Sequence, residues 1–255
     1  MSAHKPPIFE TVATAYKDVL RVIHAMPVLA GIIIAIVAVF NIVTLLFLPT
    51  PNPDMFTSKD LPVIAAGAVQ SFLVTPYLIA VHRFILLGEV TGSYSLNPQE
   101  PRFLRFWGWS LALTALVIVP AILMSFLTEQ GAPVPFVAVL SILLVAAILF
   151  FAVRLTILFP AIAVDAPGAR VENAFADSKG NFWRIFLIFI VTALPVMLFA
   201  MLLVALGLQS INRVGLVGIV LQIFGAFLGV LGYALSVSVV SRIFQALADR
   251  VKRAA

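Results

Sequence analysis

The sequence predicts an all-α protein with six membrane-spanning helices, and three observations predict it. Hydrophobic residues make up 62% of the 255-residue chain and charged residues only 11%, more apolar surface than a soluble domain of this size could bury. Six apolar segments are each long enough, at about 1.5 Å per residue, to cross roughly 30 Å of hydrocarbon. None of the six has an acidic or basic side chain near its middle.

The predicted organisation is a membrane domain between two short flanking segments. Residues 1–26 are a predicted cytoplasmic amphipathic helix, and residues 247–255 are a predicted basic cytoplasmic tail. The transmembrane domain covers residues 27–246. Its predicted spans are residues 27–48, 61–87, 106–127, 134–160, 185–207 and 214–240.

The N-terminal segment has the periodicity of a helix with one apolar face. Glu10, Lys17 and Asp18 lie on the opposite, polar face. We expect this helix to lie at the membrane interface; packing on the cytoplasmic connections of the bundle is the alternative. Because the first apolar run begins only at Pro27, we expect the N-terminus to be retained rather than cleaved as a signal peptide.

Basic residues are divided very unevenly between the two ends of the predicted spans. Of the 16 lysine and arginine residues, all except Lys59 and Arg213 lie at the end that the two termini share. Loops rich in lysine and arginine stay in the cytoplasm during membrane insertion. The sequence therefore predicts that both termini are cytoplasmic.

Arginine recurs at the cytoplasmic start and end of each predicted hairpin, mostly between apolar neighbours. This recurrence favours three repeated hairpins; six independent interfacial anchors are the alternative, since a bilayer selects arginine at such positions. We expect the arginines to form a ring that binds anionic lipid headgroups at about 1 kcal/mol per residue. The ring comprises Arg21, Arg83, Arg105, Arg154, Arg184 and Arg242.

Three uncharged amide side chains, Asn41, Gln70 and Gln222, lie inside predicted spans. Amides in hydrocarbon need hydrogen-bond partners, so we expect them to face the bundle interior with at least two close together. Hydrogen bonds between helices, at about 0.5–2 kcal/mol each, are one explanation. The other is a polar patch in an outer-leaflet cavity that binds a lipid headgroup or an amphiphile, which makes these amides candidate ligand-binding residues.

Small residues share one face of the sixth predicted span: Gly218, Gly225, Gly229 and Gly232. Such a stripe allows close approach of another helix. We expect it to seat a helix of the same bundle, and a dimer contact is the second possibility. Proline also occurs within three spans, where it favours a bend; these residues are Pro76, Pro120 and Pro195.

The sequence shows none of the residue patterns typical of an enzyme. Cysteine is absent, and the three histidines are far apart in the chain. The acidic residues are scattered over loops, so no paired carboxylates, metal cluster or catalytic triad is indicated. No carboxylate lies inside a span to relay protons or bind a coupling cation. We therefore expect no enzymatic activity, no cofactor or metal and, because the net charge of +5 reflects the cytoplasmic arginines, no nucleic-acid partner.

The run from Arg154 to Ile185 resembles a loop signature of a bacterial inner-membrane family. The similar residues are Arg154-Leu155, Pro160-Ala161-Ile162-Ala163-Val164-Asp165, Ala174, Ser178 and Gly180-Asn181-Phe182-Trp183-Arg184-Ile185. This family includes the membrane domain of glycerophosphoryl diester phosphodiesterases and the YciC-like six-helix proteins. The run from His82 to Glu89 is similar to one in uncharacterised six-helix proteins of alphaproteobacteria.

The first resemblance covers roughly the second half of the chain. It implies six transmembrane helices, a location in the bacterial cytoplasmic (inner) membrane and a role in envelope or lipid physiology. Phosphodiesterase activity is not implied, because in that family it belongs to a separate soluble domain.

The function that the sequence favours is non-catalytic: an integral protein of the bacterial envelope that binds membrane lipids or a partner protein. A facilitator or flippase for a lipid or amphiphilic solute is an alternative, and it requires a membrane-depth cavity that the amides reach. An accessory subunit of a larger membrane complex is another, and it requires a conspicuous apolar face for a protein partner.

Overall fold

The computed structural model describes residues 6–48, 60–205 and 215–252. Every regular element in these ranges is helical, which confirms the all-α prediction. The helices are α1 Ile8–Ala25, α2 Pro27–Phe47, α3 Leu61–Leu87, α4 Pro101–Glu129, α5 Val134–Leu155, α6 Leu158–Ala163, α7 Val171–Asp177, α8 Phe182–Ala205 and α9 Leu216–Leu247. Six helical segments are long and apolar enough to cross a membrane, so the protein is an integral membrane protein.

Helices occupy all six predicted spans, but several ends differ: α4 begins at Pro101 instead of residue 106, α9 ends at Leu247 instead of residue 240, and the fourth span is interrupted before its predicted end. The apolar run there continues to residue 160, but α5 ends at Leu155 and a turn at residues 156–157 leads into α6. Pro160 explains the turn, because proline has no N–H for the carbonyl of Thr156 and its ring crowds that carbonyl. Pro160 is tolerated in the first turn of α6, where an N–H has no partner within the helix.

The helices pack most tightly at one end of the bundle, which we call the basic end. It contains α1, α6, α7, residues 88–100 and residues 248–252, together with the adjoining ends of the spans. Every described lysine and arginine lies there. Lys5, Lys59, Arg213 and Arg253 lie outside the described residues, as do two of the connections at the opposite end, so the orientation across the membrane stays a prediction.

Helix α1 packs against the bundle, chiefly on α9 and α8. Ala15 and Val22 are fully buried in this contact. Phe9 and Leu20 remain 78% and 60% exposed on the same helix. The helix therefore packs on the bundle, but on the spans α9 and α8 rather than on the connections that the second alternative named, and an apolar strip remains exposed.

Helix α9 is the centre of the bundle and contacts α1, α2, α3, α6 and α8. Its buried face differs from the glycine stripe that the sequence favoured. A Cβ atom added at Gly225, Gly229 or Gly232 would meet nothing within 4 Å, although Gly218 is buried. Small residues on the other face provide the close contacts instead, and these are Ala226, Ala234, Ser238 and Ser241.

Two of the prolines inside helices lie near a tyrosine hydroxyl. The Tyr94 hydroxyl donates to the carbonyl of Leu73, three residues before Pro76, at 2.9 Å. The Tyr16 hydroxyl donates to the carbonyl of Thr192, three residues before Pro195, also at 2.9 Å. Proline weakens helical hydrogen bonding in the turn before it, and an outside donor can compensate. Burial raises the pKa of both tyrosines, so the hydroxyls stay protonated donors at ordinary pH.

Packing becomes loose away from the basic end. In the most apolar 18-residue stretch of α4, no residue is buried. In the corresponding stretch of the segment that α5 and α6 form, only 6% of the residues are buried. Helix α5 contacts α4, α7 and α8, whereas α9 contacts α1, α2, α3, α6 and α8. A cavity lies between α9 and the α4–α5 hairpin.

Candidate functional site

The arginine ring has one buried carboxylate partner in α1, Asp18, whose side chain is only 2% exposed. Arg242 donates from Nε and Nη2 to the two carboxylate oxygens at 2.6 and 2.7 Å. Arg21 donates from Nη1 at 3.2 Å. Paired, charge-assisted hydrogen bonds of this kind are the strong ones in proteins. This ion pair therefore fastens α1 to α9.

Arg105, Arg154 and Arg184 each donate to a backbone carbonyl in another segment of the basic end. The acceptors are, in that order, the carbonyls of Ala169, Phe175 and Pro6. These guanidinium groups thus hold the connections together. Binding of lipid headgroups by the whole arginine ring stays a prediction. Of the two arginines that contact Asp18, Arg21 has the more exposed side chain, at 67%.

The remaining ring member, Arg83, belongs to what we call the charged cluster: Arg83, Arg102, Glu89, Glu100 and Asp165. Arg83 holds Glu89 through two hydrogen bonds of 2.6 and 2.8 Å. Arg102 donates to Glu100 at 2.7 Å, and both arginines donate to Asp165, at 3.2 and 2.7 Å. The hydrogen bond from Arg83 lowers the pKa of Glu89 below its ordinary value.

A cavity of about 250 Å³, the basic-end cavity, opens beside the charged cluster. Four members of the cluster lie on its rim, together with the hydroxyls of residues 91, 93 and 95. Apolar side chains from α2, α3 and α4 form its floor: Leu29, Pro76, Ile79, Ala80 and Phe103. The cavity thus combines a charged rim with an apolar floor where the spans leave the membrane region.

A second cavity of about 250 Å³, the membrane cavity, lies among α3, α4, α5, α6 and α9. No lysine, arginine or carboxylate lines it. Tyr233 and Ser236 line it, and their hydroxyls make no hydrogen bond within the described residues. His82, also in the lining, is buried and its Nδ1 lies 2.8 Å from the hydroxyl of Ser241.

A smaller cavity of about 210 Å³ lies between α8 and α9 and shares Ser236 with the membrane cavity. Gly232 lines it as well. The glycine face of α9 therefore borders open space on this side. The missing side chains of the glycines contribute to that space instead of to a helix contact.

Within the described residues, the structure shows one contact between helices among the membrane amides, and it joins a side chain to a backbone. The side-chain nitrogen of Asn41 lies 3.5 Å from the backbone carbonyl of Gln222, which links α2 to α9. Gln70 lies half-buried on α3. None of the three lines the membrane cavity or the basic-end cavity. The contact of Asn41 corresponds to the first of the two alternatives, a hydrogen bond between helices, and ligand binding by the amides stays a prediction.

The cavities depend on residues that the sequence did not single out. Tyr233 and Ser236 look like ordinary residues of an apolar span, and Arg102 and Glu100 like ordinary loop charges. The hydroxyl-rich run at residues 91–95 was the available signal, since it follows a span directly. Among the described residues, no group of three or more histidine or acidic side chains is placed to hold a metal ion.

Comparisons with known proteins add nothing to this geometry. No family model, curated protein or solved structure matches the chain. The resemblance of residues 154–185 to the bacterial inner-membrane family consequently stays an expectation. What can be argued about function comes from the cavities and the charges around them.

Proposed function

We propose that the protein is a non-catalytic integral membrane protein that binds a lipid or another amphiphile between its helices. The membrane cavity is the observation that carries this proposal. It is apolar, five helices border it, and the hydroxyls of its lining residues Tyr233 and Ser236 make no hydrogen bond within the described part of the chain. An unpaired polar group in an apolar environment is costly, so an amphiphile with a hydrogen-bonding group has something to gain there.

The size of the space agrees with part of an amphiphile. Small-molecule sites usually measure about 300–1,000 Å³. The membrane cavity alone, at about 250 Å³, falls just below this range, but the smaller cavity adjoins it at Ser236. An acyl chain that lies along the glycine face of α9 would fill both. Movement of such a ligand between leaflets would make the protein a facilitator or flippase.

The experiment is native mass spectrometry of the protein extracted gently from its own membrane, with identification of the lipids that stay bound. We expect a stoichiometric amphiphile whose retention falls about fivefold in Ser236→Ala, the loss of one hydrogen bond. Ser238→Ala is the matched control, because Ser238 is buried on another face of α9 and donates to the Ala234 carbonyl at 2.7 Å. Equal retention in both variants would overturn the proposal.

An accessory subunit of a larger membrane complex is the second candidate. The observation that favours it is the exposure of α4. No residue in the most apolar 18-residue stretch of this helix is buried. Another polypeptide could cover this helix as well as lipid does. Stable attachment of other chains in the same mass spectra, with no selective small molecule, would support this role over amphiphile binding.

We also propose that the protein lies in a bacterial cytoplasmic membrane with its basic end in the cytoplasm. The natural sequence has no cysteine, so single cysteines can be placed at either end. In bacterial spheroplasts, we expect a membrane-impermeant maleimide to label Gln130→Cys directly and Lys179→Cys only after permeabilisation. The reverse pattern would invert the proposed orientation.

A further inference from the structure

The basic-end cavity brings opposite charges together above an apolar floor. Two arginines and two glutamates line it, namely Arg83, Arg102, Glu89 and Glu100, and Asp165 contacts both arginines from outside the lining. The two arginine side chains are 20% and 26% exposed, which leaves them partly shielded from water but within reach of a ligand. This site is separate from the membrane cavity, and no part of the argument for it depends on ligand binding there.

Several donors on the rim are available to a ligand. Arg102 donates to protein acceptors from Nε and Nη1, while its Nη2 makes no hydrogen bond within the described residues. The side-chain hydroxyls of Thr91, Ser93 and Ser95 also make none there. A guanidinium nitrogen beside hydroxyl groups is a suitable set of donors for phosphate oxygens.

The carboxylates on the same rim argue against a ligand that carries negative charge alone. Glu89 and Glu100 are held in place by the arginines and remain 49% and 42% exposed. A bare phosphate would meet their repulsion, since like charges at close range oppose each other. A positive group beside the phosphate would pair with these carboxylates instead. The rim therefore matches a phosphate linked to an ammonium group.

The floor of the cavity indicates where such a ligand comes from. Leu29, Pro76 and Ile79 belong to membrane-spanning helices: Leu29 lies in the first turn of α2, and Pro76 and Ile79 lie in the second half of α3. An apolar floor at this depth suits the glycerol and first acyl carbons of a membrane lipid. We propose that the basic-end cavity binds a zwitterionic phospholipid headgroup, with its phosphate at Arg102 and the rim hydroxyls and its ammonium at Glu100 and Glu89.

The test is a lipid titration of the purified full-length protein, read by native mass spectrometry, with phosphatidylethanolamine and phosphatidylglycerol as the two probes. We expect the wild-type chain to retain phosphatidylethanolamine preferentially. Glu100→Gln should lower phosphatidylethanolamine retention about tenfold, as expected for one lost charge-assisted contact, and should not lower that of phosphatidylglycerol. Arg102→Gln should lower retention of both lipids.

Arg170→Gln is the control, because it removes an exposed arginine of the same end that lies outside the cavity. If Glu100→Gln or Arg102→Gln fails to fold, as judged by circular dichroism, the double variant Ser93→Ala/Ser95→Ala tests the phosphate contact without changing any ion pair. It should lower the retention of both lipids.

Equal retention of the two lipids by the wild-type chain would overturn the proposal, and so would unchanged selectivity in a folded Glu100→Gln variant. Soluble phosphoethanolamine serves as a competitor. If it fails to displace the lipid at millimolar concentration, the lipid assignment is supported. If it displaces the lipid completely, the ligand is a soluble phosphoamine and the lipid assignment is wrong.

Discussion

The ion pair between Asp18 and Arg242 should be a large single contribution to stability at the basic end. The change to make is Asp18→Ala, which removes the carboxylate but keeps a good helix former in α1. Arg242 then loses two hydrogen bonds, at 2.6 and 2.7 Å, and Arg21 loses one. The guanidinium group of Arg242 is left beside a cavity where its partner was.

The expected cost follows from how exposed each group is. Removing one partner of a fully buried ion pair costs about 3–5 kcal/mol, because a charge is left unpaired. Arg242 is 22% exposed, so water can reach part of it, and the value should lie at the low end of that range. Arg21 is 67% exposed, and its contact adds about 0.5 kcal/mol at most. We expect a loss of about 3 kcal/mol in the free energy of unfolding.

The assay is unfolding in mixed micelles of increasing dodecyl sulfate content, followed by circular dichroism. Asp18→Ala, Arg242→Ala and the double variant form a cycle whose coupling energy isolates the pair, and we expect about 2–3 kcal/mol of coupling. Arg21→Ala is the control and should change stability by less than about 1 kcal/mol. A coupling energy below about 0.5 kcal/mol would refute the reasoning, since neighbours in contact normally couple more strongly.

Other parts of the structure predict further measurable effects. Tyr16→Phe should cost about 1 kcal/mol in the same unfolding assay, because a carbonyl near a proline loses its donor; no change would mean that the carbonyl is otherwise satisfied. Asp177→Asn should speed hydrogen exchange of the amides of residues 249–251, which now donate to this carboxylate at 2.9–3.1 Å, and unaltered exchange would contradict that anchoring role. Gly229→Ala should be neutral within about 0.5 kcal/mol, whereas Ala234→Val on the buried face should cost about 1–3 kcal/mol; equal effects would contradict the observed packing of α9. The carboxyl of Glu89 should titrate at lower pH in the protein than in a peptide of residues 86–93, so its ion pair contributes stability at neutral pH that is lost as the pH falls through the lowered folded-state pKa; a midpoint equal to the peptide's would contradict the contact with Arg83.

The spans could be predicted from sequence because the signal is local. A run of about 20 apolar residues is fixed by composition alone, and the predicted limits of residues 61–87 match α3. The break after Leu155 needed a more local argument than hydropathy, namely that Pro160 cannot donate to the carbonyl of Thr156. That argument was available in the sequence, but the long apolar run concealed it.

The partners of the arginines could not be predicted in the same way. Asp18 and Arg242 are separated by 224 positions, and nothing in the local sequence of either distinguishes this pairing from others. The packing face of α9 shows the same limit, since both its glycines and its alanines and serines form small-residue stripes. Choosing between the two faces depends on the shapes of α1, α2 and α3, which periodicity does not describe.

The bonds of the three arginines at the ends of α3, α5 and α9 follow a common order that bears on the predicted repeat. Each donates to the segment that precedes the next hairpin: Arg83 to Glu89, Arg154 to Ser178 and Arg242 to Asp18. The third of these connects the last hairpin back to the first, so the series closes on itself. Arg83 also donates to the Ala163 carbonyl and to Asp165, which follow the second hairpin, so the order is shared only in part and the threefold repeat stays a prediction.

The hydrogen bonds from Arg242 to Asp18 also bear on the two alternatives for α1, which were the membrane interface and packing on the bundle. Asp18 receives Arg242 only when α9, the last span, is in place. Without α9, α1 lacks its ion pair and its largest contact surface, and α8, α2 and α3 are its remaining partners. An amphipathic sequence and a buried carboxylate are compatible in one helix, because the apolar face packs on the bundle and the carboxylate joins the helix to α9. The exposed Phe9 and Leu20 are the part of the apolar face that the completed bundle does not cover.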